Sequence, residues 1–180
     1  MKMNVFRCRI CGDPYVGYEK PKNCPFCGAH EEFMVEASTW RDENKLDELS
    51  EVSRKNLEKA LELEMSNSAF YRCAAEHASD IECQGMFKAL AKIEAEHATV
   101  ISKLLGIPRP DLTKIEVHCT RNDLENVEES SRRETNASEF YAKAGEEAVE
   151  PRVREVFFAL VDIERDHLDL DAQAKQRLQG

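Results

Sequence analysis

Two pairs of cysteines near the start of the chain have the spacing of a metal site. They read Cys8-Arg-Ile-Cys11-Gly and Cys24-Pro-Phe-Cys27-Gly, with 12 residues between the pairs. Four thiolates spaced in this way form a tetrahedral site for zinc or for a single iron ion. A module of about 34 residues buries too little apolar surface to fold unaided, so the metal is structurally required. Zinc would act as a structural staple and iron as a one-electron carrier, and the spacing does not decide between them.

A second set of candidate metal ligands consists of four glutamates and two histidines in the helix-forming part of the chain. Each lies on a helical stripe whose other members are small or apolar, and the stripe of the last helix continues at Leu170. At a rise of 1.5 Å per residue, all six fall within roughly one helical turn of the same height in a bundle. The six are Glu64, Glu94, His97, Glu134, Glu164 and His167.

Metal binding explains why these charges could be buried together. Four buried carboxylates would repel one another and each would lose several kcal/mol of solvation, whereas two divalent cations would balance their charge. A lone Glu on each of two helices and a Glu-x-x-His on each of the other two form the carboxylate pattern of a di-metal site. Carboxylate oxygen with imidazole nitrogen suits iron or manganese. Solvated helix faces are the alternative explanation for the same residues.

The two halves of this region repeat one another. A shift of 70 residues aligns residues 57–104 with residues 127–174 without a gap, and 14 of the 48 aligned pairs are identical. The identical pairs include all six candidate ligands, together with Tyr71 and Tyr141, which follow the lone glutamate of each half by seven residues. An internal duplication explains why charged and aromatic residues match at one offset. Each tyrosine shares a helix face with a candidate ligand and could hydrogen-bond a carboxylate, with an ordinary core position as the alternative.

Four helices must position these side chains. Short breaks near Asp80 and before Pro151, and a longer break over residues 106–120, divide a region rich in helix-forming residues. Asn122 and Pro151 suit the first positions of the third and fourth helices. The short breaks predict two antiparallel hairpins, and the longer segment can run the length of a bundle. The helices are expected at about 43–78, 81–105, 122–149 and 151–177.

The sequence therefore predicts a mainly α protein, in which a small metal-bound module precedes a four-helix bundle with one long crossover, the ferritin-like arrangement. The predicted domains are a four-cysteine module at residues 1–34, a linker at 35–42 and the bundle at 43–180. The net charge of −10 argues against a nucleic-acid or anionic-membrane partner, because phosphate binding needs a basic surface.

The compartment follows from the lack of apolar segments in the sequence. No apolar run approaches the 18 residues of a membrane span, and the first residues lack the apolar stretch of a signal peptide. We therefore expect a cytoplasmic protein without a membrane partner. Because thiols stay reduced in the cytoplasm, we expect Cys73, Cys83 and Cys119 to be free thiols.

The motifs carry a family resemblance. Phe6-x-Cys8-x-x-Cys11-Gly followed by Cys24-Pro-Phe-Cys27-Gly-Ala resembles a rubredoxin of short spacing, and the duplicated Glu…Glu-x-x-His bundle resembles the ferritin-like domain of rubrerythrins. The order, with the rubredoxin-like module first, resembles that of the reverse rubrerythrins. The resemblance implies a non-haem di-iron peroxidase that reduces hydrogen peroxide to water and protects against oxidative stress. The resemblance also implies the role of each metal ligand. Glu94 and Glu164 would bridge the two irons, Glu64 and Glu134 would be terminal ligands, and His97 and His167 would each bind one iron.

The resemblance further implies an electron path and partners. The rubredoxin-like iron would return electrons one at a time, often from the partner subunit of a dimer, so we expect a homodimer or a larger homo-oligomer. The electrons would come from NAD(P)H through a separate reductase, since the chain has no G-x-G-x-x-G for binding the nicotinamide. The chemistry is reasonable because each Fe(II) supplies one electron while the metals polarise the O–O bond as Lewis acids.

One position departs from the family pattern. The commoner rubrerythrins have an additional glutamate on the third helix, one turn from the lone one, but the corresponding neighbours of Glu134 here are Ser130, Ser131, Ala137 and Ser138. The departure weakens the expectation of a redox-linked movement of iron between a histidine and a glutamate, and it leaves a more symmetric site. A ferroxidase or iron-handling protein, or a dioxygen-reducing di-iron oxidase, is therefore an alternative function. A non-enzymatic electron carrier or zinc-stapled bundle is the third.

Overall fold

The computed structural model describes residues 2–180 of the chain. Single 3₁₀ turns occur at Glu31–Phe33 and Leu112–Lys114 in the connecting segments. None of the helices in the described part combines the length and the apolar character that a transmembrane segment needs. The regular elements are β1 (Asn4–Cys8), β2 (Pro14–Gly17), β3 (Met34–Glu36), α1 (Glu51–His77), α2 (Ile81–Leu105), α3 (Asp123–Glu147) and α4 (Pro151–Gln179).

The N-terminal module is a three-stranded antiparallel sheet in the order β2-β1-β3. Phe6 of β1 lies opposite Tyr15 of β2 and Glu36 of β3, which fixes the register of both pairs. Gly12 and Gly28, each directly after the second cysteine of a pair, have φ values of +88° and +79°. Residues other than glycine rarely adopt this conformation, so both positions need glycine. Because β3 pairs with β1, the module extends two residues beyond the boundary predicted at residue 34.

The first helix begins at Glu51, later than the predicted start at residue 43. Ser50 caps it, because its side chain accepts a hydrogen bond from a backbone N–H of the first turn. The residues before the cap are held by the β module: the Asn44 side chain donates to the Ile10 carbonyl at 2.7 Å. The predicted helix over 43–50 was therefore wrong, because tertiary contacts with the module outweigh the helical preference of this segment.

The four helices form two antiparallel hairpins, in which α1 packs along α2 and α3 packs along α4. The Asn122 side chain caps α3 and Pro151 occupies the first turn of α4, as predicted. The segment after Gly106, whose left-handed conformation ends α2, runs across to the cap of α3. The predicted mainly helical architecture, with a small module before a four-helix bundle with one long crossover, is thus confirmed.

The internal repeat is visible in the packing of the two hairpins. Tyr71 stacks on Phe87 with 6.0 Å between ring centroids, and Tyr141 stacks on Phe157 with 5.9 Å, both at an interplanar angle of 19°. Equivalent residues of the two halves therefore occupy equivalent positions. This is the arrangement expected when a duplicated hairpin packs on its own copy.

The crossover is bonded covalently to α1. Cys73 of α1 and Cys119 of the crossover form a disulfide, so the prediction that both are free thiols was wrong. Cys83, the third of these cysteines, is free and buried. The pairing could not be predicted because the crossover has no helical period that would place Cys119 over a particular residue of α1.

Candidate metal centres

The four cysteines of the N-terminal module converge on one point. All four are buried, and their sulfurs lie within 4.8 Å of one another. The Sγ atoms are 3.7 Å apart between Cys8 and Cys27, and 3.8 Å apart between Cys11 and Cys24. In each knuckle the N–H of the following glycine donates to the carbonyl of the first cysteine at 2.9 Å, which tightens the turn. Four sulfurs in this arrangement can bind one tetrahedral ion.

The six candidate ligands of the bundle meet at mid-height between the two hairpins. Five of them are completely buried, and His167 is 3% exposed. Their donor atoms form two groups, and within each group the atoms lie within 4.8 Å of one another. Glu94 and Glu164 belong to both groups. The first group is Glu64, Glu94, His97 and Glu164, and the second is Glu94, Glu134, Glu164 and His167.

Most of these donor atoms have no hydrogen-bond partner. Within residues 2–180, nine buried side-chain oxygen or nitrogen atoms are unpaired, and eight of them belong to the six residues. The unpaired atoms nevertheless lie close together: Nδ1 of His167 is 2.9 Å from Oε2 of Glu164 and 3.3 Å from Oε1 of Glu94. Since buried polar groups are normally paired, close atoms without hydrogen-bond geometry indicate a shared centre. The donor set fits two cations.

The surroundings of the cluster favour protonation of some of its carboxyl groups and histidines. Burial raises the pKa of Glu64 and Glu164 well above the usual range, and repulsion from Glu94 adds to the effect. Burial also opposes ionisation of Glu94, but the neighbouring Glu64 carboxyl and the nearby histidines hold the pKa of Glu94 well below its usual value. Burial disfavours charge on His97, yet the adjacent carboxylates outweigh it and raise the pKa of His97 well above the usual value. Cations would replace these protons.

Two buried tyrosines join the hairpins at the cluster. The Tyr141 hydroxyl donates to Oε1 of Glu64 at 2.5 Å, and the Tyr71 hydroxyl donates to Oε1 of Glu134. Each tyrosine therefore bonds the lone glutamate of the other half. The bonds orient both carboxylates, so that one oxygen of each remains free to bind an ion.

A polar chain extends from the cluster on one side. The Tyr71 hydroxyl lies 2.9 Å from Oγ of Ser130, which donates to Oδ1 of Asp171 at 2.8 Å. Asp171 is completely buried, and its burial raises the pKa of the carboxyl group to about 7. Asp171 was not among the predicted site residues, because the predicted α4 stripe continued at Leu170, which is 43% exposed. The signal was present: Asp171 follows His167 by four residues, a spacing that shares a helix face.

The two candidate centres are in direct contact. Nε2 of His97 lies 2.8 Å from the carbonyl oxygen of Cys27, and Nδ1 of the same ring faces the carboxylates of the bundle. A carbonyl only accepts, so this contact places the proton on Nε2 and leaves Nδ1 free to bind a metal. Gly28 maintains the close approach, because a Cβ there would lie 3.0 Å from the side chain of Ile163.

Comparisons with known proteins agree with this architecture. Residues 55–174 match the family model for rubrerythrin. The chain is 32% identical over 114 residues to reverse rubrerythrin-1 of Clostridium acetobutylicum, a match that covers 58% of this chain and 63% of that protein, thus less than two thirds of the relative's length. A hypothetical protein from Pyrococcus furiosus has the same fold, with a TM-score of 0.60 and 21% identity over 71% of this chain and 90% of its own.

Proposed function

The chain belongs to the rubrerythrin family, with its four-cysteine module ahead of the bundle as in the reverse type, and on that premise we propose that it reduces hydrogen peroxide to water. The family is one of di-iron oxidoreductases that act against oxidative stress. The observation that carries the proposal is the hydrogen bond between His97 and the carbonyl of Cys27. A protein that only stores iron has no need of a four-cysteine site in contact with its di-metal cluster.

The ligand roles follow from the two donor groups. We propose that Glu94 and Glu164, which belong to both groups, would be shared by two irons, and that each lone glutamate and each histidine would hold a single iron. An iron pair bound there would supply the two electrons and the Lewis acidity that cleavage of an O–O bond requires. The protein contributes a dry pocket with fixed carboxylates, in which ordered donors need little rearrangement during the reaction.

Protons would reach the cluster along the polar chain. Reduction of one peroxide to two waters consumes two protons as well as two electrons. The polar chain consists of side chains that are hydrogen-bonded through their oxygen atoms. It begins at Asp171, continues through Ser130 and Tyr71, and ends at Glu134 of the cluster. When Asp171 is protonated, its hydrogen bond with Ser130 can reverse direction, so that Asp171 donates to Ser130, Ser130 donates to Tyr71 and Tyr71 donates to Glu134. With a pKa of about 7, Asp171 can hold and release this proton near neutral pH.

Electrons would enter from the four-cysteine site of the same chain. An iron in that site would carry one electron at a time, and the ring of His97 connects the Cys27 carbonyl with the carboxylates. We propose that a separate reductase supplies the electrons from NAD(P)H and that the protein works in the cytoplasm as a homodimer or larger homo-oligomer. Zinc in the four-cysteine site would block this inlet, because zinc has no redox chemistry.

Stopped-flow spectroscopy tests the proposal. The iron-loaded protein is reduced without oxygen and mixed in separate runs with hydrogen peroxide and with dioxygen. We expect peroxide to oxidise it far faster than dioxygen, with one peroxide consumed per two electrons. Glu134→Gln should lose this reaction, whereas Glu139→Gln, on an exposed part of α3, should keep it. Equal or faster oxidation by dioxygen would overturn the proposal.

One observation favours a second candidate, a dioxygen-reducing oxidase or ferroxidase. The turn-spaced neighbours of Glu134 on α3 carry no carboxylate, and Asp171 on α4 bonds Ser130 rather than reaching the cluster. The site is therefore as symmetric as in simpler ferritin-like oxidases. Catalytic Fe(II) oxidation by dioxygen, with release of the ferric product, would support this candidate in the same experiment.

A further inference from the structure

The disulfide between Cys73 and Cys119 lies outside both metal centres and has no counterpart in the internal repeat. Cys73 and His77, one turn apart on α1, correspond to Lys143 and Glu147 of α3. Cys119 belongs to the crossover, which joins the two copies and occurs once. The duplicated bundle therefore does not require these three residues. We propose that Cys73, Cys119 and His77 form a thiol–disulfide redox site that hydrogen peroxide oxidises independently of the metals.

A histidine stands beside both sulfurs. Nδ1 of His77 is 3.6 Å from Sγ of Cys119 and 4.0 Å from Sγ of Cys73, and it lies 2.9 Å from the Cys73 carbonyl. The carbonyl accepts only, so Nδ1 carries a proton, and both sulfurs lie within 4.0 Å of this nitrogen. An imidazole N–H in this position stabilises the thiolate, which is the reactive form of cysteine. In the reduced protein, Cys119 is thus the nucleophile and Cys73 the partner that resolves it.

Reactants have access to the sulfurs. Both cysteines are partly exposed, and His77 is exposed. Cys73 also lines a solvent-open cavity of about 720 Å³ between α1 and the crossover, together with Arg72, Glu76 and His118. Peroxide and an external dithiol can both enter a cavity of this size. Cys83, in contrast, is completely buried, and its burial raises the pKa of the thiol to about 11, so it should not react.

The crossover keeps other attachments when the disulfide is cut. The Arg72 guanidinium donates to the Leu112 carbonyl at 2.7 Å, and Val117 packs against a core cluster to which all four helices contribute. Thr120, next to Cys119, donates its backbone N–H to the Asn126 side chain at 3.0 Å. These contacts hold Cys119 near α1 in the dithiol form. The reduced protein should therefore stay folded, with its two thiols close enough to form the bond again.

The reaction balances in two steps. The Cys119 thiolate attacks one oxygen of hydrogen peroxide, the O–O bond breaks, and the other oxygen leaves as water after taking up a proton, which gives a sulfenic acid at Cys119. The Cys73 thiol then attacks this sulfur, the S–O bond breaks, and a second water leaves. Two electrons pass from the thiols to the peroxide. An external dithiol returns the pair to the reduced form and becomes a disulfide itself.

Mass spectrometry of differentially alkylated cysteines tests the proposal on the full chain. Zinc-loaded protein, whose metals exchange no electrons, is reduced with dithiothreitol under native conditions, freed of reductant, exposed to hydrogen peroxide and quenched. We expect Cys73 and Cys119 to become oxidised together while Cys83 remains alkylatable. Because the reaction needs no iron, it survives even if the metal-centre function fails. A disulfide that dithiothreitol reduces only after unfolding, or a dithiol that peroxide leaves reduced, would overturn the proposal.

Two variants separate the roles of the three residues. Cys73→Ser should leave a sulfenic acid at Cys119 that dimedone labels, because no partner resolves it. His77→Gln should slow oxidation of the pair about tenfold, since loss of the imidazole N–H removes a donor that stabilises the attacking thiolate. The wild-type measurement stands even if a variant misfolds. Dimedone labelling of Cys83 instead of Cys119, or an unchanged rate in His77→Gln, would contradict the assignment.

Discussion

The two hairpins of the bundle carry the same candidate ligands in different surroundings. In the first, the positions equivalent to Ser130 and Asp171 are Ala60 and Ile101, both buried and apolar. Among residues 2–180, the polar chain toward the cluster therefore lies on the α3–α4 side alone. The first hairpin instead provides His97, which contacts the four-cysteine module. Duplication thus accounts for the geometry of the cluster, whereas later divergence gives one half the contact with the four-cysteine module and the other half the buried polar chain.

This difference also shows which residues are free to diverge. The lone glutamates and the tyrosines at the cluster are constrained together, because each tyrosine bonds a glutamate of the other half. The next layer of residues is not bound by this exchange. The second half has Ser130 and Asp171 where the first half has Ala60 and Ile101, so it contains an additional buried carboxyl group while its candidate ligands keep the same positions. Variants that treat the two halves differently can therefore measure what each half contributes.

The largest effect is expected when a ligand shared by the two donor groups is removed. Glu94 belongs to both groups and Glu64 to only one. We expect Glu94→Gln to prevent binding of both ions and Glu64→Gln to lose one, with peroxide reduction slowed on the order of a hundredfold or more in either variant. Metal analysis by plasma emission and stopped-flow rates measure both. Glu62→Gln, at an exposed position of α1, is the control. Equal metal loss in the two ligand variants would contradict the bridging role.

The next effect compares the two tyrosines directly. Tyr71→Phe and Tyr141→Phe each remove one hydrogen bond to a lone glutamate, so both should lower the free energy of unfolding by about 1 kcal/mol. Tyr71→Phe also breaks the contact with Ser130, and it should slow peroxide reduction about tenfold, whereas Tyr141→Phe should slow it far less. Chemical unfolding and stopped-flow rates give the two quantities. Equal rates in the two variants would show that protons do not follow the α3–α4 side.

A smaller effect concerns the pH dependence. Burial raises the pKa of Asp171 to about 7, so its carboxyl group keeps a proton up to that pH and loses it above. Peroxide reduction should therefore slow as the pH rises through about 7, because Asp171, the first proton donor of the polar chain, is then deprotonated. Asp171→Asn should be several-fold slower at pH 6 and should lose this inflection. Asp169→Asn, at an exposed position of α4, is the control, and an unchanged profile in Asp171→Asn would exclude the path.

The ease of predicting each feature from the sequence reflects how local its cause is. The mainly helical architecture, the cysteine knuckles and the convergence of six donors follow from composition, short spacings and the helical rise. Predicting Asp171 required a choice between two adjacent positions of α4, three and four residues after His167. The prediction took Leu170, at a spacing of three, whereas Asp171, at a spacing of four, is the buried residue. The disulfide, the docking of the module and the late start of α1 depend on contacts between residues far apart in the chain, such as Asn44 with Ile10. No local pattern encodes such contacts.

The smallest effect is expected where the four-cysteine module contacts the second hairpin through His30. Nε2 of His30 lies 2.8 Å from Oδ2 of Asp166, and this hydrogen bond raises the pKa of His30. The bond contributes stability that is complete below the unfolded pKa of about 6.5 and disappears as the pH rises through the higher folded pKa. Both side chains are at least a third exposed, so the contribution should be below about 1 kcal/mol. His30→Ala should therefore lower the free energy of unfolding slightly at pH 5.5 and not at pH 9, as measured in urea. A decrease in the free energy of unfolding above about 1 kcal/mol, or one that persists at pH 9, would contradict this weak and charge-dependent contribution.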